Sequence, residues 1–118
     1  MALESKIRHL LVDAHGCSGP LNDSAALLAL MNAAALAAGA RPMSDASAQY
    51  VPHGVTAVLF LAESHILIST WPELDMALVD VLVCSDTMDL AAAWDVIAAG
   101  LSPERSVQKR LDRGITGT

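Results

Sequence analysis

The sequence has few aromatic side chains, few charges and no long uninterrupted apolar run. Only 3% of the 118 residues are aromatic and 17% are charged, whereas 53% are hydrophobic. The interior must therefore be built largely from Ala, Leu, Val and Ile. No stretch reaches the ~18 apolar residues typical of a membrane span, and the N-terminal residues lack the pattern of a signal peptide. We expect a cytoplasmic protein without a membrane partner.

Basic residues are also scarce. Seven Lys and Arg face thirteen Asp and Glu, which gives a formal net charge of −6 and no basic stripe that would favour nucleic acid. Two cysteines, Cys17 and Cys84, are too few for a disulfide scaffold, so we expect reduced thiols. The histidines are His9, His15, His53 and His65. Their spacing is not that of a zinc site, and we predict no metal.

The length fits one domain, residues 1–118. The composition is very apolar for a chain this short, which indicates that part of the apolar surface is buried against another copy. A homo-oligomer is therefore predicted.

Apolar runs and turn residues predict the secondary structure. Strands are expected at 7–12, 55–61, 66–68, 76–83 and 106–111, with β structure also beginning at Gln49 to Val51. Ala/Leu-rich stretches predict helices at 25–38 and 88–99, closed by Gly39 and Gly100. Asn22, Asp23 or Ser24 can cap the first helix, and Asp86 or Thr87 the second. We expect an α+β fold, a two-layer α/β sandwich with an antiparallel sheet and two helices on one face.

The polar triplet Glu63-Ser64-His65 interrupts this apolar β region. Ser and acidic residues are ordinary at the tip of a β-turn, and composition alone favours that interpretation. The alternative interpretation, a functional site, also stays possible, because three consecutive polar residues are unusual within an apolar β region.

The triplet belongs to a longer pattern that resembles a known family. Glu63-Ser64-His65 is followed by Thr70-Trp71-Pro72-Glu73 and by Cys84, twenty residues after Ser64, and is preceded by Pro52-x-Gly54-Val55. Together these motifs resemble the prokaryotic S-adenosylmethionine decarboxylase proenzymes, which depend on a pyruvoyl group and act in polyamine biosynthesis.

This resemblance implies that the chain cuts itself between Glu63 and Ser64, giving 1–63 and 64–118. The Ser64 hydroxyl would attack its own preceding carbonyl, and elimination from the resulting ester would leave a pyruvoyl group at the new N-terminus. That ketone would form a Schiff base with the substrate amine and accept the electrons released as carbon dioxide leaves. Glu63 is accordingly grouped with the catalytic residues, and no external cofactor is expected.

The same resemblance assigns roles to four further residues. Cys84 would protonate the carbanion after decarboxylation, and Glu73 would bind the ribose hydroxyls of S-adenosylmethionine. Tyr50 takes the place of a phenylalanine that stacks on the adenine, with Trp71 nearby. For both aromatic residues, simple core filling is an equally good interpretation. The family is also implied to form homodimers in which both chains contribute to each active site.

Two positions used by the family for self-processing differ. Ser69 stands where the family has a histidine, and Thr56 where it has a serine. The histidine is implied to be the base for the elimination, a task for which a serine hydroxyl is unsuited at neutral pH. We predict that processing involves Ser64, Thr56, Ser69 and His65, and is slow, absent or rerouted through His65 or His53.

The segment after Glu73 departs as well, because Leu74-Asp75-Met76 replaces the family's aromatic residues. Asp75 could receive a cationic side chain, so one alternative is an ornithine or arginine decarboxylase on the same scaffold. Asp75 could equally be a solvated turn residue. Because of Ser69, a second alternative is an uncleaved, non-enzymatic binding homologue.

Overall fold

A computed structural model describes residues 7–84 and 87–114 of the chain. In chain order its elements are β1 (Ile7–His15), α1 (Ser24–Ala37), β2 (Pro42–Gln49), β3 (Val55–Leu61), β4 (Ser64–Trp71), β5 (Met76–Cys84), α2 (Leu90–Leu101) and β6 (Arg105–Arg113). A short 3₁₀ turn, Pro72–Leu74, connects β4 to β5.

The six strands form one sheet in the order β2-β3-β4-β5-β1-β6, and every neighbouring pair is antiparallel. Helix α1 packs on β2, β3 and β4, helix α2 packs on β5, and the helices contact each other. The α+β sandwich with two helices on one face is confirmed. Neither helix, in the part of the chain described, is long and apolar enough to cross a membrane.

The helix ends follow their capping groups. The Asp23 carboxylate accepts from the amide of Ala26 at 3.0 Å and begins α1, as predicted. Helix α2 begins later than predicted, because Asp89 is its N-cap and accepts from the amide of Ala92 at 3.0 Å. Thr87 is thus not the cap, and Asp86 lies outside the described residues.

The predicted stop at Gly39 is confirmed, whereas the one at Gly100 is wrong. Gly39 follows the C-cap of α1 with φ +81°. Gly100 lies inside the last turn of α2, which ends at Leu101 before the left-handed Ser102. Gly100 allows α2 to lie close to α1, since a Cβ at this position would be 2.5 Å from the Leu30 side chain of α1. This glycine therefore serves the packing of the two helices and does not end α2.

Strand β2 was missed by sequence reasoning. Its residues, PMSDASAQ, are small or polar, and nearly all are exposed. The strand lies at the edge of the sheet, where β3 is its one partner strand, and its side chains are mostly outside the core, so it needs no alternation of apolar residues. The β structure expected from Gln49 to Val51 is also wrong beyond Gln49, because Tyr50 and Val51 follow the end of the strand.

The core lies between the helices and the inward side of the sheet. Strand alternation directs every second residue of β1, β3, β4 and β5 toward the helices. The largest fully buried side chains are Leu10, Leu27, Met31, Leu59, Ile66, Ile68, Ile97 and Leu101. This agrees with the aliphatic interior expected from composition.

The opposite side of the sheet is covered by no helix of the described chain, and we call it the open face. By strand alternation its apolar members are Leu11, Val58, Phe60, Leu67, Leu78, Leu82, Val107 and Leu111. The same alternation places several polar and charged side chains there, namely His9, Asp13, Thr56, His65, Ser69, Asp80, Lys109 and Arg113, together with Trp71 and Cys84. Phe60, Leu78, Val107 and Leu111 are each 37–57% exposed. Large exposed apolar side chains on one face of a sheet indicate an interaction surface.

We expect Gly19→Ala to destabilise the fold by roughly 1–3 kcal/mol, the usual range for overpacking. A Cβ at Gly19 would lie 2.1 Å from the carbonyl oxygen of Gly100, which is backbone and cannot move aside. Urea unfolding measures the loss. The exposed neighbour Ser18→Ala is the control, and equal stability of the two variants would contradict this account of the packing.

Candidate active site

The predicted site residues form two groups at opposite ends of β4. Ser64 is the first residue of this strand, and Glu63 and Cys84 lie near it. Thr56, Ser69 and Trp71 lie toward the other end. Strand rise puts Ser64 and Ser69 roughly 17 Å apart along β4. One chain therefore does not bring all the predicted residues together.

The cleavage end, which we define as Glu63, Ser64 and Cys84, is built on a tight hairpin. Leu61 pairs with Ser64, so Ala62 and Glu63 alone make the turn from β3 to β4. Glu63 has φ +61°, a left-handed conformation that is unfavourable for a residue with a side chain. Ser64 is 8% exposed, and its Oγ donates to the Ala62 carbonyl at 3.4 Å. Backbone strain thus lies directly at the bond that the sequence predicts to be cut.

Cys84 lies at the same end of the sheet. Pairing of His65 with Leu82 places Ser64 beside Val83, and Cys84 comes next on β5. Its thiol is partly exposed. The register therefore brings the predicted nucleophile, Ser64, and the predicted proton donor, Cys84, to the same end of the neighbouring strands β4 and β5.

A cleft of about 360 Å³ lies at the other end. It is lined by Tyr50, His53, Gly54, Thr56, Ser69, Thr70, Trp71 and Glu73, and we call it the hydroxyl cleft. The Tyr50 hydroxyl donates to Thr56 Oγ1 at 3.0 Å, and Thr56 Oγ1 lies 3.3 Å from Ser69 Oγ. Three hydroxyls thus form a connected chain inside a cleft of the size that binds small molecules.

Two polar residues to which the sequence assigned no role in the site, Asn22 and Thr70, hold this cleft in shape. Asn22 Oδ1 accepts from the Gly54 amide at 2.7 Å and from Gln49 Nε2 at 2.9 Å, which fixes the loop before β3. Thr70 Oγ1 accepts from the Val55 amide at 2.9 Å and donates to the Leu21 carbonyl at 2.7 Å. The signal for Thr70 was present, since it is a polar residue at a helix-facing position of an apolar strand.

An imidazole and a carboxylate face each other across the cleft. His53 Nε2 lies 3.9 Å from Glu73 Oε1, and both side chains are partly exposed. His53 Nδ1 is buried and has no hydrogen-bond partner. Among the described residues lining the cleft, His53 carries the one imidazole.

Asp75 lies outside the lining of the cleft. It ends the turn after β4 with φ +50°, and its carbonyl accepts from the Cys17 amide at 2.8 Å. Burial, reinforced by the charge of Asp75, raises the pKa of the Cys17 thiol above its ordinary value. Cys17 is therefore a buried thiol of the core that remains protonated.

His65 lies on the open face with His9 and Asp80. His9 Nε2 is 3.3 Å from Asp80 Oδ1, and Arg113 approaches His9 Nδ1 at 3.1 Å. Because a guanidinium can only donate, Arg113 is the donor in its contact with His9 Nδ1. Burial lowers the pKa of His65, against the opposing effect of Asp80 and with that of His9. His65 is thus neutral at pH 7 and lies far along β4 from the hydroxyl cleft.

Within the described residues, no group of His, Cys, Asp and Glu is arranged to hold a metal.

Comparison with known proteins gives this arrangement a context. Residues 8–114 match the family model described as S-adenosylmethionine decarboxylase. The chain belongs to the S-adenosylmethionine decarboxylase family. The S-adenosylmethionine decarboxylase proenzyme of Carboxydothermus hydrogenoformans is 37% identical over 92% of this chain and 86% of its own length. The proenzyme of Pyrobaculum arsenaticum is 41% identical over 83% of this chain and 80% of its own.

The fold agrees with a solved member of the family. The adenosylmethionine decarboxylase from Aquifex aeolicus superposes with a TM-score of 0.87 at 34% identity, covering 95% of this chain and 93% of that one. The likeness therefore extends over the whole sandwich, including both ends of β4.

We expect iodoacetamide to modify Cys84 well before Cys17 in the native protein at pH 8. Cys17 is 4% exposed and its pKa is raised, so little thiolate is accessible there, whereas Cys84 is partly exposed. Peptide mass mapping after short labelling measures both rates. A Cys84→Ala control should remain almost unlabelled, and rapid labelling of Cys17 would contradict the burial.

Proposed function

We propose that this chain is a pyruvoyl-dependent S-adenosylmethionine decarboxylase of cytoplasmic polyamine biosynthesis, which activates itself by cleavage before Ser64. The observation that carries the proposal is the cleavage end. There a serine follows a strained, left-handed Glu63, and a partly exposed cysteine lies beside it on the next strand.

The cleavage end fits a pyruvoyl group. Cleavage before Ser64 would leave residue 64 as the first residue of β4, held in the sheet by its pairing with β5, so the new N-terminus would stay in place. The ketone supplies an electron-withdrawing centre that accepts the electron pair released with carbon dioxide. Cys84 would then deliver a proton to the reacting carbon from its thiol.

Processing begins with residues of the chain itself. Ser64 Oγ attacks the carbonyl carbon of Glu63, the peptide C–N bond breaks, and an ester replaces the amide. The left-handed backbone at Glu63 favours this step because breaking the amide relieves a strain of about 1–3 kcal/mol. In the dimer proposed below, the hydroxyls of Tyr50, Thr56 and Ser69 of the second copy would offer donors to the oxygen on which negative charge develops.

The hydroxyl cleft suits a nucleoside better than a linear basic amino acid. Glu73 offers a carboxylate to the ribose hydroxyls, and Tyr50 and Trp71 offer ring surfaces to a base. Asp75, the carboxylate that could receive the cationic side chain of ornithine or arginine, lies outside the cleft lining. These positions favour S-adenosylmethionine over the basic amino acids.

A homodimer would complete the site. Suppose that the open faces of two copies pack on each other, related by a two-fold axis that lies between the two sheets and perpendicular to β4. The β4 strands of the two copies then run in opposite directions. The cleavage end of one chain, with Cys84 on its open face, then lies over the hydroxyl cleft of the other. The same packing covers Phe60, Leu78, Val107 and Leu111, which are otherwise exposed. A homodimer would thus explain both the separation of Ser64 from the hydroxyl cleft within one chain and the exposed apolar side chains of the open face.

We expect the purified protein to consist of two fragments, 1–63 and 64–118, with Ser64→Ala remaining one chain. Intact-mass spectrometry decides this, because only self-cleavage before residue 64 gives these masses and a residue 64 without its amine. The cleaved protein should release carbon dioxide from S-adenosylmethionine and not from ornithine or arginine. A parent chain that stays whole on long incubation would instead support the uncleaved binding homologue.

We expect mixed dimers to restore activity. A Cys84→Ala chain and a Glu73→Gln chain should each lose most turnover alone. A heterodimer of the two has one doubly substituted site and one intact site, so co-expressed chains that mix at random should recover about a quarter of parent activity. Tags of different size allow the heterodimer to be purified, and co-expressed Cys84→Ala chains with the same two tags are the control. No recovery in a confirmed heterodimer would mean that each site lies within one chain.

A further inference from the structure

The hydroxyl cleft contains no imidazole on β4, where Ser69 stands opposite Thr56. The elimination that follows ester formation must remove the α hydrogen of residue 64, and this needs a base. A hydroxyl is a poor base compared with an imidazole, and those of Tyr50, Thr56 and Ser69 are already engaged with one another. They can donate to an oxyanion, but they cannot take a proton from carbon.

Two histidines could serve, and the structure separates them. His65 lies on the open face beside Asp80 and His9 and does not line the hydroxyl cleft. His53 lines the same cleft as Thr56 and Ser69. It stands on a loop held by the bonds of Asn22 to Gly54 and Gln49, so its position is fixed.

We propose that His53 is the general base for the elimination step of self-cleavage, in place of an imidazole at position 69. This inference rests on the proposed function and on the proposed dimer, in which His53 of one chain meets Ser64 of the other. It is carried by the position of His53 in the hydroxyl cleft and by the Glu73 carboxylate 3.9 Å from its Nε2.

The step balances without an added reagent. His53 takes the α hydrogen of residue 64 as a proton, and the electron pair left on the α carbon forms a double bond to the β carbon. The bond from the β carbon to Oγ breaks, and Glu63 leaves as the carboxylate that ends the fragment 1–63. Tautomerisation and addition of water then give the ketone and release ammonia. The Glu73 carboxylate stabilises the His53 imidazolium until its proton passes to solvent.

The test follows the fate of the ester. In His53→Gln the first step should still occur and the second should slow by about 10²–10⁴-fold, the usual contribution of general-base catalysis. Ester and amide chains have the same mass, but hydroxylamine at neutral pH cleaves only the ester. We therefore expect an uncut variant that hydroxylamine splits into 1–63 and a fragment beginning with an unmodified Ser64.

A second substitution distinguishes a base from a structural residue. Ser69→His places an imidazole on β4 in the same cleft, so the double variant His53→Gln/Ser69→His should regain self-cleavage. His15→Gln removes an imidazole outside the cleft and should be processed like the parent. Circular dichroism verifies that each variant is folded.

The outcomes separate the two proposals. If the parent is cut and His53→Gln is cut at the same rate, or if the folded double variant stays uncut, His53 is not the base although the proposed function stands. If the parent itself is neither cut nor split by hydroxylamine, self-cleavage fails, and the role of His53 fails with it.

Discussion

The antiparallel register of β3, β4 and β5 is the constraint on which the site depends. It brings Ser64 and Cys84 to the same end of β4 and β5, and it aligns Thr56 with Ser69 near the opposite end of β4. A strand is stiff and extended, so no side-chain motion closes the gap of roughly 17 Å between Ser64 and Ser69. A second chain is the direct way to join the two halves, which makes assembly part of the proposed catalysis.

The open face makes that assembly physically reasonable. Small antiparallel sheets commonly bury one face and expose a polar one. Here the open face carries Phe60, Leu78, Val107 and Leu111 among polar and charged side chains that include His9, Asp13, His65, Asp80 and Lys109. Burial of the exposed apolar side chains would supply association energy, and the contact between His9 and Asp80 at 3.3 Å would be made within each chain.

Strain and polarity are concentrated at the two ends of β4. Glu63 adopts a left-handed backbone immediately before the bond proposed to be cut, and Asp75 does so just beyond the hydroxyl cleft. Left-handed residues other than glycine persist only where the surrounding structure holds them. Here the hairpin pairing of Leu61 with Ser64 holds Glu63. The sheet thus keeps Glu63 in a left-handed conformation, while the cleft keeps the hydroxyls of Tyr50, Thr56 and Ser69 connected.

The sequence by itself determined the fold class, most strands, the first helix and the motifs around Ser64 and Cys84. Alternating apolar residues and local capping groups are short-range signals, and family motifs are linear ones. It did not reveal β2, whose polar edge residues carry no alternation, or the late start of α2 at Asp89. Only the tertiary structure decided that Ser64 and Ser69 lie apart and that His53, not His65, shares the hydroxyl cleft. These facts depend on strand register and on which side of a sheet a residue occupies, and both arise from pairing between segments distant in the chain.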